Sequence, residues 1–140
     1  MESTTVLLVS EDPILRGMII NTLEASKFLQ LQEVLGEAEG LEDAAWKLAP
    51  DLIVATLGEN PDTILNAVVA LGERCPETIL CGPADRSDLI IRSMQIGVRE
   101  YVPLPIEPDE LLRVMDRLSA ARGTREHVRR GRIISVIGSK

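Results

Sequence analysis

The chain has 140 residues, 45% of them hydrophobic and 26% charged, with a net charge of −7 at neutral pH. That is the balance of a globular protein long enough for one domain with its own core. No apolar run approaches the ~18 residues that a membrane span needs, and Met1-Glu2-Ser3-Thr4-Thr5 lacks the basic and apolar parts of a secretory leader, so a cytoplasmic location without membrane insertion is expected.

Val6-Leu7-Leu8-Val9 is a continuous apolar run between polar residues, the pattern of a strand buried on both faces. Asp12-Pro13 supplies an N-cap and a first helical residue, and Ile14, Leu15, Met18, Ile19, Thr22 and Leu23 recur at helical spacing. Leu31 to Leu35 reads as a second strand, followed by a short helix carrying Leu41, Ala44, Ala45 and Leu48 that Pro50 ends. Leu52-Ile53-Val54-Ala55 is a third strand, and Pro61 opens a helix with Ile64, Leu65, Val68 and Leu71 on its inner face. Thr78 to Cys81 is a fourth strand that Gly82-Pro83 is expected to break. Asp85 and Asp88 are expected to cap the next helix, which carries Leu89, Ile90 and Met94 and stops at Gly97. Val98 to Val102 is a fifth strand, and a last helix begins near Pro108 with Leu111, Leu112, Met115 and Leu118 turned inward.

Strands alternating with helices predict a parallel sheet covered on both faces: an α/β, flavodoxin-like (βα)5 doubly wound fold. Chemistry in such a sheet gathers at the carboxyl ends of the strands, which here carry Ser10, Glu11, Asp12, Thr56, Gly82 and Leu104.

Two cysteines, Cys75 and Cys81, make no disulfide framework; Cys81 reads as a small core residue. One histidine and the absence of a CxxC pair leave no metal-ligand set, and no cofactor is expected. Charge is distributed unevenly. Residues 1–112 carry 20 acidic and 7 basic side chains, a net −13, whereas residues 113–140 carry 8 basic and 2 acidic, a net +6. The expected organisation is a domain over 1–120, a basic linker over 121–131 and the first strand of a further domain over 132–140. No aromatic residue interleaves Arg122, Arg125, Arg129, Arg130 and Arg132, so they are read as a solvated linker rather than a nucleic-acid site.

Four segments carry a family resemblance. Val6-Leu7-Leu8-Val9-Ser10-Glu11-Asp12-Pro13 resembles the first strand and acidic turn of response-regulator (CheY-like) receiver domains. Ala49-Pro50-Asp51-Leu52-Ile53-Val54-Ala55-Thr56-Leu57 resembles their third strand. The stretch from Ala84-Asp85 to Ile96-Gly97-Val98-Arg99-Glu100-Tyr101 resembles their fourth helix and fifth strand. Val102-Pro103-Leu104-Pro105-Ile106-Glu107-Pro108-Asp109-Glu110-Leu111-Leu112 resembles their last loop and helix start, where Leu104-Pro105 falls on a position that often holds a cis proline.

The resemblance implies a phosphoryl-accepting site, and this chain departs from it at each element. Phosphoryl transfer to such a domain requires an aspartate nucleophile, acids that hold a divalent metal, a lysine on the phosphoryl oxygens and a Ser/Thr hydroxyl that follows the phosphate. The nucleophile position carries Thr56, the paired acid positions Ser10 and Glu11, the hydroxyl position Gly82 and the lysine position Leu104. Threonine without an adjacent base is a poor acceptor, and Leu104 brings no charge. The expectation is a vestigial site made of Ser10, Glu11, Asp12, Thr56, Gly82 and Leu104, with no catalytic residue. For Asp12 and Glu11 two readings stand: helix capping and dipole stabilisation, or residual cation binding. For Ser10 and Thr56 the plain reading is small polar residues filling the space left by the phosphate site.

At the other end, Gly131-Arg132-Ile133-Ile134-Ser135-Val136-Ile137-Gly138-Ser139-Lys140 looks like the opening strand and deviant P-loop start of a ParA/MinD-type ATPase. A degenerate receiver joined to such an opening resembles TadZ/CpaE pilus assembly proteins. That resemblance implies an interaction, dimerisation and localisation module for the Flp/Tad pilus and secretion machinery, placed at a cell pole. Its contact face, by analogy with receivers, runs through Ile91, Met94, Gln95, Arg99 and Tyr101 and the outer side of 109–118, with Arg92, Arg99, Arg113 and Arg117 available to Glu100, Glu107 and Asp109. A homodimer through this face is expected; the alternative function is an active phosphorelay receiver.

Overall fold

A computed structural model describes residues 4–72 and 75–118. The basic linker over 121–131 and the expected strand over 132–140 lie outside the described residues. The order is β1 (Thr4–Val9), α1 (Pro13–Glu24), β2 (Leu29–Leu35), α2 (Leu41–Leu48), β3 (Leu52–Thr56), α3 (Pro61–Leu71), β4 (Glu77–Pro83), α4 (Ser87–Gln95) and β5 (Glu100–Leu104), with a fifth helix, α5, running over 108–118. All strand pairs are parallel and the sheet order is β2-β1-β3-β4-β5, so the doubly wound flavodoxin-like fold is present.

The continuous apolar strands follow from burial on both faces. Val6 and Leu8 of β1, Leu52 and Val54 of β3, and Ile79 and Cys81 of β4 point to one side, where they meet Ile19 and Leu23 of α1 and Leu111, Met115 and Leu118 of α5. Leu7, Val9, Ile53, Ala55 and Leu80 point to the other, against Leu41, Ala44 and Ala45 of α2, Ile64, Leu65 and Val68 of α3, and Leu89 of α4. The period of two sends neighbours to opposite faces, and two apolar layers turn that into an unbroken run. At the amino end of the sheet, β1 and β3 are tied by a reciprocal clasp. Thr5 N–H donates to the Asp51 carboxylate at 2.9 Å, and Asp51 N–H is within 3.0 Å of both the hydroxyl and the carbonyl of Thr5.

Several expected boundaries move. β2 begins at Leu29, two residues early, because Thr4 pairs with Leu29 and a bulge between Val6 and Leu7 absorbs one residue of β2. β4 runs through Gly82-Pro83 rather than breaking there; a proline at the last strand position gives up one donor and keeps its carbonyl. β5 starts at Glu100 rather than Val98, because Val98 belongs to the end of α4. Its N–H reaches the Ser93 carbonyl at 3.0 Å and the Gly97 N–H reaches Met94 at 3.1 Å, with Gly97 at φ 95°: a Schellman closure that buries Val98.

The start of α4 also differs. Neither Asp85 nor Asp88 caps it: Arg86 holds the N-cap position with no side-chain cap, and its guanidinium forks onto the Asp88 carboxylate at 2.9 and 3.0 Å. Within α4, Met94 is exposed and Ser93 is buried instead. Ser93 can face inward because its hydroxyl donates to the Leu89 carbonyl at 2.7 Å. In α1, Ile14 and Met18 likewise lie on the outer side, leaving Ile19, Thr22 and Leu23 as its buried line.

Candidate functional site

The carboxyl ends of β1, β3 and β4 form the mouth of the sheet. Asp12 shapes its rim, accepting the Ile14 N–H at 2.8 Å and the Leu15 N–H at 3.3 Å as the N-cap of α1. Ser10 and Thr56 lie at the ends of adjacent strands and are 0% and 2% exposed. The Thr56 hydroxyl donates to Ser10 Oγ at 2.9 Å, and the Ser10 hydroxyl donates onward to the Asp12 carbonyl at 3.1 Å. Ser10 N–H reaches the Leu35 carbonyl at 2.9 Å, and the Ser10 carbonyl accepts from Arg16 Nη1 at 3.4 Å. The two buried hydroxyls thus spend their donors on the protein's own acceptors, as buried polar groups must.

Glu11 is exposed, and its Oε1 lies 3.6 Å from where a Cβ on Gly58 would be, so its carboxylate leans across the β3–α3 loop. The donor set does not fit a hard divalent cation, which wants several oxygens with charge among them. Thr56 and Ser10 are neutral and mutually bonded, and the Asp12 carboxylate is engaged on the helix start. Among the described residues no group of three or more His, Cys, Asp or Glu is arranged to hold a metal.

Gly82 sits in β4 beside Tyr101 and Leu57. A Cβ on Gly82 would lie 2.9 Å from Tyr101 Cζ, closer still to the tyrosine oxygen, and 3.1 Å from Leu57 Cδ1. The Tyr101 hydroxyl donates to the Pro83 carbonyl at 2.9 Å, and burial pushes its ionisation above the ordinary tyrosine value. Leu104 pairs with Pro83 at the end of β5 and packs against the cluster under α1 and α5; the Leu104–Pro105 peptide bond is cis. The fold therefore gathers Ser10, Asp12 and Thr56 into one bonded group with Glu11 over the adjacent loop. Gly82 joins Tyr101 and Leu57, and Leu104, half-buried, leans against the core.

The second candidate region is the face of α4 and β5. Ile91 is 56% and Met94 48% exposed, and Gln95 and Arg99 are exposed. Tyr101 is half-buried with its ring turned inward onto Gly82. Arg117 pairs with Glu100 at 2.9 Å, but Arg92 pairs with Asp62 of α3 at 2.8 Å and Arg99 with Glu77 of β4 at 3.6 Å, partners outside the expected acidic set. Sequence reasoning passed over Leu57, Gly58 and Arg16. The first two directly follow Thr56 and were legible as loop neighbours of the mouth. Arg16, one helical turn past the cap, carried no local signal for its reach to the Ser10 carbonyl.

No family model matches the chain, and no curated protein matches it. Solved structures do. The response regulator domain of Thermotoga maritima CheB superposes with a TM-score of 0.75 at 14% identity, covering 84% of this chain and 96% of that one. The signal receiver domain of a LuxO repressor protein from Vibrio parahaemolyticus gives 0.77 at 16% identity, covering 90% and 97%. RcsB, in a structure of two RcsB dimers bound to two parallel DNAs, gives 0.74 at 13% identity, covering 86% of this chain and 62% of that one.

Proposed function

With a receiver fold as the premise, we propose that this chain is a pseudo-receiver: a domain that accepts no phosphoryl group and works as a protein–protein interaction and dimerisation module. The observation that supports this most is the hydroxyl chain from Thr56 through Ser10 to the Asp12 carbonyl, buried where a receiver needs carboxylates open to a cation and a phosphodonor. A neutral hydroxyl bonded to another hydroxyl is not an activated nucleophile. Leu104, half-buried against the core, supplies no cation for the phosphoryl oxygens.

Interaction through the α4–β5 face is supported by the exposed pair Ile91 and Met94, with Gln95 and Arg99 beside them. The outer side of α5 adds both charge signs, with Asp109 and Glu110 preceding Arg113 and Arg117. A face that carries both charge signs beside exposed apolar side chains can meet a second copy of itself across a two-fold axis, which supports a homodimer. Assembly is reported for the structurally similar RcsB, whose structure contains dimers. On the resemblance of the whole chain to TadZ/CpaE proteins, the partners are components of Flp/Tad pilus machinery, and the place of action is the cytoplasmic side of a cell pole.

Sedimentation analysis tests this reading. The expected result is a dimeric mass that is the same with and without acetyl phosphate and Mg²⁺, and that falls to the monomer in Ile91→Glu/Met94→Glu. A monomer that becomes a dimer only with the phosphodonor contradicts it and supports an active phosphorelay receiver.

A further inference from the structure

We infer that Gly82 and Tyr101 form a steric latch: the missing side chain at position 82 is what seats the Tyr101 ring inward, as a fixed plug over the end of β4. Gly82 lies within β4, paired with Pro103 of β5, and its φ lies outside the left-handed range. Backbone conformation therefore does not demand glycine there. Space does. A Cβ would press on Tyr101 Cζ at 2.9 Å and on Leu57 Cδ1 at 3.1 Å, and nearer still to the Tyr101 hydroxyl. Leucine can rotate a methyl aside. The tyrosine ring is rigid and is held at its far end by the bond to the Pro83 carbonyl, so it moves only by leaving.

The ring packs against the cluster that includes Leu80, Leu89 and Val98, and Leu89 and Val98 belong to α4 and the turn that ends it. A ring fixed inward thus fixes how β5 meets α4. The latch deepens the proposed function, because it holds the α4–β5 face in one arrangement without a signal. It is tested without any partner, so its failure is distinguishable from failure of the interaction reading.

Tyr101 is the chain's single tyrosine, so its absorbance titration and its nitration by tetranitromethane report this ring alone. In Gly82→Ala and Gly82→Thr the ionisation midpoint is expected to fall toward the ordinary value of about 10, and nitration to accelerate. A folded Gly82→Ala with unchanged midpoint and nitration rate overturns the latch. The double variant Gly82→Ala/Tyr101→Ala covers the case in which the single variant unfolds. The drop in Tm caused by Gly82→Ala should shrink once the ring is gone, and a drop of equal size in both backgrounds overturns the proposal.

Discussion

Two hydroxyls at the mouth of the sheet carry the argument at the scale of single residues. Ser10 accepts from Thr56 and donates to the Asp12 carbonyl, so its removal leaves the buried Thr56 donor without an acceptor, while the Asp12 carbonyl keeps the Arg16 N–H; removal of the Thr56 hydroxyl leaves no donor unmet. Ser10→Ala should therefore destabilise by about 1–3 kcal/mol and Thr56→Val by only about 0.5–1.5 kcal/mol. Urea denaturation of the two variants checks that order; equal costs or the reverse order contradict the direction of the chain. The thiols make a second residue-level prediction. Cys81 is fully buried, and burial pushes its thiol from 9.0 up to about 12. Its folded value lies above its unfolded one, so its contribution to stability is whole below pH 9.0 and is lost as pH rises through about 12. Tyr101 acts in the same direction, with its ionisation also raised by burial. Thermal unfolding should thus show Tm falling above pH 9.0, less steeply in Cys81→Ala; parallel profiles contradict this. At pH 8 a thiol reagent should modify only the half-buried Cys75 in native protein, and both cysteines in urea.

At the scale of elements, caps and helix ends explain both what was readable and what was not. Asp12-Pro13 announced α1, and the structure places Asp12 on the Ile14 and Leu15 amides, so Asp12→Ala should cost about 1 kcal/mol by chemical denaturation. The end of α2 is different: Ala49 takes a left-handed conformation, φ 45°, before Pro50. Ala49→Gly should relieve that strain and raise stability by about 0.5–1 kcal/mol after the extra freedom it gives the unfolded chain. A destabilised Ala49→Gly contradicts the assignment. The apolar runs of β1, β3 and β4 were legible because burial on both faces makes them continuous. Val98 misled because it is apolar for a different reason: it closes α4 and does not lie in a strand. Asp88 misled because Arg86, two residues before it, takes the N-cap position and forks onto its carboxylate.

For the molecule as a whole, chain order and strand patterning sufficed to reach the parallel sheet, and the superposition on solved receiver domains agrees with it at identities as low as 13%. Residue types at strand ends revealed which side chains stand at the mouth, since a parallel sheet puts those positions together. What they did not reveal was contact. The Thr56–Ser10 bond joins residues 46 apart in sequence, and the packing of Tyr101 onto Gly82 depends on strand register and ring direction, neither of which leaves a local trace.

Intact-mass measurement after incubation with acetyl phosphate and Mg²⁺ reaches the central claim most directly, applied to the native chain and to Thr56→Asp. Neither protein should gain a phosphoryl group, because Leu104 and Gly82 leave an introduced aspartate without a cation or a following hydroxyl. Stoichiometric phosphorylation of the native chain, lost on hydroxylamine treatment as an acyl phosphate is, would contradict the account.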